Sequence, residues 1–340
     1  MTQLNLWLER YSLRRAQIIE NWSSLARGVE GLKGMLPYEE LFEVIGPDAQ
    51  ATGKMAFIDG GQGIRELVGL AVYFIRASAF VMARDGGGDM GEVFMRDLDM
   101  NVIPHDQKTK ERVEFLRDAM EFEIARRCGL KERPDTIFLD GSLFVKAFKK
   151  PIDCDEYNIY RTSFRDLVSM CKSEGIGLVG VSEDSKSRLF LKYLTCRFGV
   201  RFPPFMTDST VLRILAPYRS FRSRAFIPDG KLYRGGSKPT LTEEFATAYL
   251  QPNASSNPLR VDVLGGKKAI SPHLETLASL CRGSGSYGYP LPLYYAHMDS
   301  HIPLSQMDWT VRQIVNYVSK NDDILANAVM KSTRRMARPA

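Results

Sequence analysis

The chain has 340 residues, 44% of them hydrophobic and 25% charged, with a formal net charge of +6. This composition is typical of a soluble globular protein, and since no apolar stretch reaches about 18 residues, no transmembrane helix is expected. The N-terminus lacks the order of a signal peptide. Five scattered cysteines without a Cys-x-x-Cys pair argue against a zinc site or a disulfide framework. We therefore expect a cytoplasmic protein whose basic balance favours an anionic partner.

The first half of the chain predicts a helical arm followed by an antiparallel meander. Residues 1–48 form the arm, and Leu4, Leu8 and Tyr11 give it an apolar stripe. Three strand-like segments then follow with short turns between them. They are "KMAFIDGG", "LVGLAVYFIRASAFVMA" and "EVFMRDLDMNVI". Successive strands joined by short turns are typical of an antiparallel sheet.

After the meander, helices and strands alternate. Apolar residues recur three and four positions apart in "DQKTKERVEFLRDAMEFEIARRCGL", which predicts an amphipathic helix. The strand "TIFLDGSLF", a helix ending at Gly175, the buried strand "IGLVGVSE" and a helix ending at Gly199 come next. A meander followed by this alternation predicts a mixed α/β sheet flanked by helices.

The second half predicts an insertion and the completion of the core. Residues 201–264 are rich in Pro, Arg, Ser and Gly and predict an irregular, basic insertion into a core that begins with residues 49–200. Residues 265–340 complete the core. Within them we expect a helix over "SPHLETLASLCRG", a strand over "YPLPLYYAHMDSHI" and a closing helix over "WTVRQIVNYVSKNDDILANAV".

Two short apolar strands each end in Asp-Gly. Asp59 ends "MAFIDGG", and Asp140 ends "TIFLDGS". A buried carboxylate is costly unless it is paired or bound to a cation, and two neighbouring carboxylates repel unless a divalent ion neutralises them. Hard oxygen ligands suit Mg²⁺ or Mn²⁺. If the strands are neighbours, they form a metal site for phosphoryl-transfer chemistry.

Further site residues remain open among several candidates. The helix between these strands offers a third carboxylate from Glu114, Glu121 or Glu123, and each is equally compatible with a solvated helix face. Lys186 follows the third buried strand, where a cation can hold a phosphate oxygen or simply lie near a helix start. His297 follows two tyrosines, but its spacing to His301 is weak support for a metal site.

The insertion has the composition of a single-stranded nucleic-acid surface. Arg219, Arg222 and Arg224 alternate with aromatic residues such as Phe221 and Phe226. Cations that bind phosphates and rings that stack on bases are the features such a surface needs. A solvated basic loop is the alternative interpretation.

The ordered set of motifs resembles the NurA nucleases. The strand "FIDGG", the helix with Glu121, the strand "FLDGSL", the lysine of "GVSEDSK" and the late "YPLPLYYAH" occur in the order seen in that family. The resemblance spans about residues 50–320. One position departs from it, because the first motif has Asp-Gly-Gly where the family more often has Asp-Gly-Ser.

The resemblance implies a fold, an activity and partners. It implies an RNase H-like core and a Mn²⁺-dependent deoxyribonuclease, with Mg²⁺ as the alternative and two ions in the site. Such enzymes degrade single-stranded DNA, resect DNA ends in the 5′ to 3′ direction, form homodimers around a channel and dock on the hexameric ATPase HerA during double-strand-break repair.

The resemblance also implies roles for individual residues. Asp59, Glu121 and Asp140 are the implied metal ligands, and Lys186 and His297 complete the site near the scissile phosphate. Tyr289 or Tyr294 lines it.

Two other classes of protein remain as alternatives. An ATP-dependent phosphotransferase of the actin and sugar-kinase type also places Asp-Gly turns on an RNase H-like core. It lacks a convincing late glycine motif here, and it would not need His297. A non-catalytic DNA-binding adaptor of a translocase is the third interpretation, in which the two Asp-Gly pairs are only turns.

Overall fold

The computed structural model describes residues 3–45, 50–67, 69–85, 88–147, 149, 152–183, 186–216, 220–228, 245–282 and 287–321. Within them, one sheet contains strands β1 (Phe42–Val44), β2 (Gly53–Glu66), β3 (Leu70–Asp85), β4 (Gly88–Pro104), β5 (Thr136–Asp140), β6 (Gly177–Ser182), β7 (Phe221–Ser223), β8 (Phe245–Gln251) and β9 (Leu259–Leu264). The α-helices are α1 (Gln3–Gly31), α2 (Tyr38–Leu41), α3 (Thr109–Glu132), α4 (Leu143–Ala147), α5 (Asp155–Glu174), α6 (Leu189–Phe198), α7 (Asp208–Leu215), α8 (Ile270–Arg282), α9 (Leu291–Ser300) and α10 (Leu304–Asn321).

The sheet is mixed, as the sequence predicts. Its strand order is β1-β7-β8-β9-β6-β5-β2-β3-β4. The three strands β2, β3 and β4 pair antiparallel as the expected meander, and β5 and β6 continue the sheet in parallel with β2. The remaining strands from β9 outward are antiparallel. Gly175 (φ 70°) and Gly199 (φ 72°) end α5 and α6 as expected, since glycine tolerates positive φ.

Alternate residues of the central strands pack against helices on opposite faces of the sheet. Ala56 and Ile58 of β2 belong to a core with α3 and α5. Met55 and Phe57 belong to a second core with α8 and α9. Side chains of a strand point alternately to its two faces, so Asp59 shares the face of Phe57 and lies beneath α9.

Two segments differ from their predicted structure. Residues 201–264 are not an irregular insertion where they are described, because β8 and β9 lie inside the sheet and are almost wholly buried. The prediction was wrong because the Pro, Arg, Ser and Gly residues of the whole segment outweighed the two short apolar strands within it. The segment "YPLPLYYAHMDS" is helix α9 rather than a strand, and Pro292 occupies its first turn, where proline is tolerated. The domain boundaries themselves stay a prediction.

Of the helical arm predicted over residues 1–48, Gln3–Gly31 is helix α1, which is largely exposed, whereas Phe42–Val44 is strand β1 of the sheet. Val29 near its end is its buried residue, and Leu25 and Ala26 pack against the core of α6 and α7. Leu4, Leu8 and Tyr11 are 64%, 46% and 43% exposed. No helix among the described residues combines the length and the apolar character needed to cross a membrane.

Candidate metal centre

Two parallel strands bring Asp59 and Asp140 together. The pairing of β2 with β5 places Ile58 opposite Leu139, so the next residue on each strand is an aspartate. Asp140 is the last residue of β5, as predicted. Asp59 is not at a strand end, since β2 continues to Glu66 against β3. It stands instead where the pairing with β5 stops, which leaves its carboxylate beside that of Asp140.

Helix α9 covers this pair and supplies a third group. His297 Nδ1 donates to Asp59 Oδ2 at 2.8 Å, and Ser300 Oγ donates to the same oxygen at 3.0 Å. Tyr289, just before α9, donates its hydroxyl to Asp140 Oδ1 at 3.0 Å. The family resemblance implies a role for His297 and names Tyr289 as one of two tyrosines that line the site. Ser300 carries no sequence signal that distinguishes it from an ordinary helix-terminal serine.

Glycines after Asp59 permit this close packing. A Cβ on Gly60 would lie 2.6 Å from Glu121 Oε1 on the α3 face, and a Cβ on Gly61 would overlap the carbonyl oxygen of Ser300 on the α9 face. The departure from Asp-Gly-Ser at position 61 therefore has a structural reason. A serine side chain has no room where the last turn of α9 meets β2.

A hydrogen-bonded turn fixes the chain beyond Asp140. Gly141 has φ of +92°, which glycine adopts without strain. Ser142 Oγ donates to buried Asp262 of β9, and the amide of Phe144 donates to the same carboxylate at 3.3 Å. The strand end that carries Asp140 is thereby tied to the neighbouring part of the sheet.

The pKa values of the two aspartates shift in opposite directions. Burial raises the pKa of Asp140 to about 6, and the charge of Asp59 adds to this rise. Burial also opposes ionisation of Asp59, but the hydrogen bond and charge of His297 outweigh it and lower the pKa of Asp59. The hydrogen bond to Asp59 in turn raises the pKa of His297. Asp59 therefore carries the more stable negative charge, and a bound cation would stabilise the ionised form of Asp140.

Glu121 of α3 packs against Gly60, the residue after Asp59, and a buried cation forms an ion pair with it. Lys146 Nζ forms an ion pair with Glu121 Oε2, and Arg117 Nε lies 3.3 Å from Glu121 Oε1. Glu121 is 2% exposed, and burial raises its pKa to about 7 despite these cations. Glu123 instead pairs with Arg126 at 2.9 Å. Glu114 is half-buried, so Glu121 is the one fully buried glutamate of the three candidates. Its role at the site stays a prediction.

The same cluster contains residues that the sequence did not single out. Asp118, one turn before Glu121, is 1% exposed and pairs with Arg117 and Lys149 at 2.6 Å each. Lys146 Nζ lies 4.0 Å from Asp118 and 5.0 Å from the ring centre of Phe122. Nothing in the local sequence indicates that Lys146 reaches a helix 25 residues earlier in the chain.

Other predicted residues lie away from the cluster. Lys186 is exposed between β6 and α6, and no described hydrogen bond or ion pair joins it to Asp59, Asp140 or His297. Arg222 pairs with Glu43 at 2.7 Å and with Glu275 at 3.2 Å, and Arg224 lies 3.8 Å from Glu40. Arg219 lies outside the described residues. Their contact with DNA stays a prediction.

The donor set fits a hard divalent cation. Asp59, Asp140 and His297 each offer one ligand atom, and these three atoms lie within 4.8 Å of one another. Two carboxylates and one imidazole suit Mg²⁺ or Mn²⁺, with nitrogen favouring the transition metal.

Comparison with known proteins shows the family and the fold. The family model of the NurA domain matches residues 53–302. Among solved structures, the NurA nuclease from Sulfolobus solfataricus has 19% identity and a TM-score of 0.65, with 95% of this chain and 99% of that chain covered. A NurA structure with manganese has 11% identity and a TM-score of 0.59, covering 92% and 99%.

A further NurA structure, described as bound to dAMP and manganese, has 12% identity and a TM-score of 0.54, with 91% of this chain and 97% of that chain covered. A search of curated protein sequences found no match. At these identities the structures show the fold, and they confirm the predicted RNase H-like arrangement of a mixed sheet flanked by helices.

Proposed function

Because the chain belongs to the NurA family, we propose that it is a metal-dependent deoxyribonuclease with its active site at Asp59, Asp140 and His297. The observation that carries this proposal is the convergence of these three side chains, whose ligand atoms lie within 4.8 Å of one another. A NurA structure described as bound to dAMP and manganese supports both a nucleotide product and this metal.

The aspartates are the proposed ligands of Mn²⁺, or of Mg²⁺ as the alternative, and Glu121 is the proposed third carboxylate. Bound divalent ions, two in this proposal, activate water and stabilise the leaving oxygen in phosphodiester hydrolysis. The protein prepares the site in their absence. Tyr289 fixes the orientation of Asp140, and Ser300 and His297 fix that of Asp59.

His297 is placed to act on the substrate as well. Its side chain is 57% exposed although Asp59 is almost buried, so a phosphate can approach the ring. The hydrogen bond to Asp59 raises the pKa of His297 and so favours the protonated form, which can donate to a phosphate oxygen or to the leaving group. Lys186, exposed after β6, is the proposed second cation for the phosphate.

The finer function rests on the family resemblance. We propose single-stranded endonuclease and 5′ to 3′ exonuclease activity, in DNA end resection with a HerA-type hexameric ATPase, in the cytoplasm. The exposed apolar side chains of α1, among them Trp7 at 59% and Trp22 at 54%, support a homodimer or a partner surface. A large exposed apolar patch marks an interaction site.

One assay tests the activity against its alternatives. The protein is incubated with 5′-labelled single-stranded DNA and Mn²⁺, with and without ATP. Degradation without ATP supports the nuclease. The Asp59→Asn and Asp140→Asn variants should then yield no cleavage products. ATP turnover without DNA degradation would indicate a phosphotransferase, and retention of DNA without either reaction would indicate an adaptor. Both results contradict the proposal.

A further inference from the structure

A groove lies on β3 and β4, on the sheet face that carries Asp59. The register places Asp59, Ser78 and Arg96 in one row across β2, β3 and β4. Gly61, Arg76 and Leu98 form the next row. Strands lie about 4.8 Å apart, so the backbone of Arg96 is about 10 Å from that of Asp59 on the same face.

This groove is a distinct cavity of about 420 Å³. We call it the β3–β4 groove, and its main lining residues are Phe74, Arg76, Arg96, Leu98, Met100 and Ile302. Its volume is in the range of small-ligand sites, about 300–1,000 Å³. One wall is the exposed apolar surface of β4, where Leu98 is 63% and Met100 is 43% exposed. Gln306 of α10 contributes a polar side chain to the opposite wall.

The groove is lined by two arginines, Arg76 and Arg96, and by Asp97, which forms an ion pair with Arg127. Arg96 pairs with Asp299 at 2.7 Å, and Ser78 Oγ donates to the same carboxylate at 2.6 Å. Asp299 is thereby accounted for as the partner of Arg96 rather than as a metal ligand. Arg76 is half-buried beside them, and its charge contributes to the low pKa of Asp299, but no ion pair of the described residues includes Arg76. Because Asp97 pairs with Arg127 and Asp299 with Arg96, Arg76 leaves a net positive charge in the groove.

This combination matches a strand of nucleic acid. A phosphate needs a cation that is not already neutralised, and a base or deoxyribose needs an apolar wall. The amide of Gln306 can donate to or accept from a base edge without selecting one base. By contrast, Arg222 and Arg224 each have a glutamate partner.

We propose that the β3–β4 groove binds a nucleotide of single-stranded DNA next to the cleaved phosphate, with Arg76 on its phosphate and Leu98 and Met100 against its base or sugar. This inference rests on the proposed nuclease function for its placement beside the cleaved bond. The binding itself does not require hydrolysis, so the two are tested separately.

The test measures DNA binding by fluorescence anisotropy with a labelled oligothymidylate of about 15 nucleotides, in EDTA and in Ca²⁺. Two variants change the groove. Arg76→Gln removes the unpaired cation, and Leu98→Glu adds a carboxylate on the exposed edge strand, where folding is not at risk. Two controls match them on the other face: Arg161→Gln on α5 and Val93→Glu on β4.

Both groove variants should weaken binding by about tenfold while the controls bind like wild type. Arg76→Gln should also reduce the slope of log affinity against log salt by about 0.7, the value for one phosphate contact on a single strand. If both groove variants keep the wild-type affinity and salt slope, the proposal that the groove binds DNA is wrong, even if the wild-type enzyme cleaves DNA. Failure of the wild-type chain to bind in either condition would also overturn it.

The control reactions separate the two claims. If the groove variants lose binding but the wild-type chain never cleaves DNA with Mn²⁺, the groove stands and the nuclease proposal fails. If the wild-type chain cleaves and the groove variants bind normally, the nuclease stands and the strand follows another path.

Discussion

Gly61 of β2 and the carbonyl group of Ser300 approach so closely that a Cβ on Gly61 would overlap the carbonyl oxygen. The contact holds the last turn of α9 on the sheet, and that turn carries both His297 and Ser300, the two partners of Asp59. The absent side chain at position 61 is therefore part of the site.

Gly61→Ala should damage both stability and the site. Either α9 or β2 must shift, and overpacking of this kind typically costs about 1–3 kcal/mol. The shift also moves His297 away from Asp59, so cleavage of DNA should fall more than the fraction of folded protein does. Urea denaturation and a cleavage assay measure the two effects. Gly28→Ala, where nothing lies within 4 Å, is the matched control and should leave both unchanged or slightly raise stability. Equal behaviour of the two variants would contradict the contact.

The sequence predicted the central pair because the signal there is local. Four apolar residues before Asp59 and three before Asp140 indicate buried strands that end in a carboxylate. The alternation of helices and strands indicates that β2 and β5 are parallel neighbours. The same reasoning missed α9, because Tyr-rich sequence with two prolines favours an extended chain locally. The tertiary contacts of Leu293 and Ala296 with the sheet core outweigh that preference.

The ion pairs at the site could not be predicted from the sequence for a different reason. Lys146 meets Glu121, and Arg96 meets Asp299, across long stretches of chain that only the fold brings together. Charge and spacing on one helix cannot distinguish Glu121 from Glu123. The distinction comes from Gly60, whose missing side chain leaves the space that Glu121 fills.

Asp140→Asn should stabilise the metal-free protein at neutral pH. The pKa of Asp140 is raised to about 6 in the folded state, so the folded state binds its proton more tightly than the unfolded state does. Its stabilising effect is present below about pH 4 and is lost as the pH rises through about 6. Above that pH the ionised group costs at most about 3 kcal/mol, at 1.36 kcal/mol per pKa unit, and asparagine removes this cost.

The measurement is urea denaturation in EDTA from pH 4 to 8, an interval chosen around the pKa of about 6. The wild-type protein should lose stability relative to Asp140→Asn as the pH rises, and Mn²⁺ should restore it in the wild type alone. Asp166→Asn on the exposed face of α5 is the control. Parallel pH curves for wild type and Asp140→Asn would show that Asp140 is not strained by burial.

Lys146 and Glu121 should prove strongly coupled. Lys146→Met leaves Glu121 and Asp118 buried with one cation fewer, and breaking a buried ion pair typically costs about 3–5 kcal/mol. Adding Glu121→Gln to that variant should recover part of the loss, because the orphaned charge is removed. A double-mutant cycle in urea measures the coupling. The exposed pair Arg126 and Glu123 is the comparison and should couple by less than about 1 kcal/mol. Additive effects of Lys146→Met and Glu121→Gln would contradict the ion pair.

Removal of the exposed part of α1 should change the assembly and leave the metal site intact. A deletion of residues 1–22 removes Trp7 and Trp22 and keeps Leu25, Ala26 and Val29, which pack on the core. The proposed homodimer should become a soluble monomer by light scattering, with Mn²⁺ affinity unchanged. A full-length protein that is already monomeric at micromolar concentration would contradict this role of α1.

The most direct measurement is the anomalous difference map of a crystal soaked in Mn²⁺ at pH 7.5, above the pKa of about 6 that burial gives Asp140. The account predicts a peak in contact with the carboxylates of Asp59 and Asp140, and predicts that it disappears in Asp140→Asn. A well-diffracting soaked crystal without density between these carboxylates, or with manganese bound only elsewhere, would contradict the metal centre.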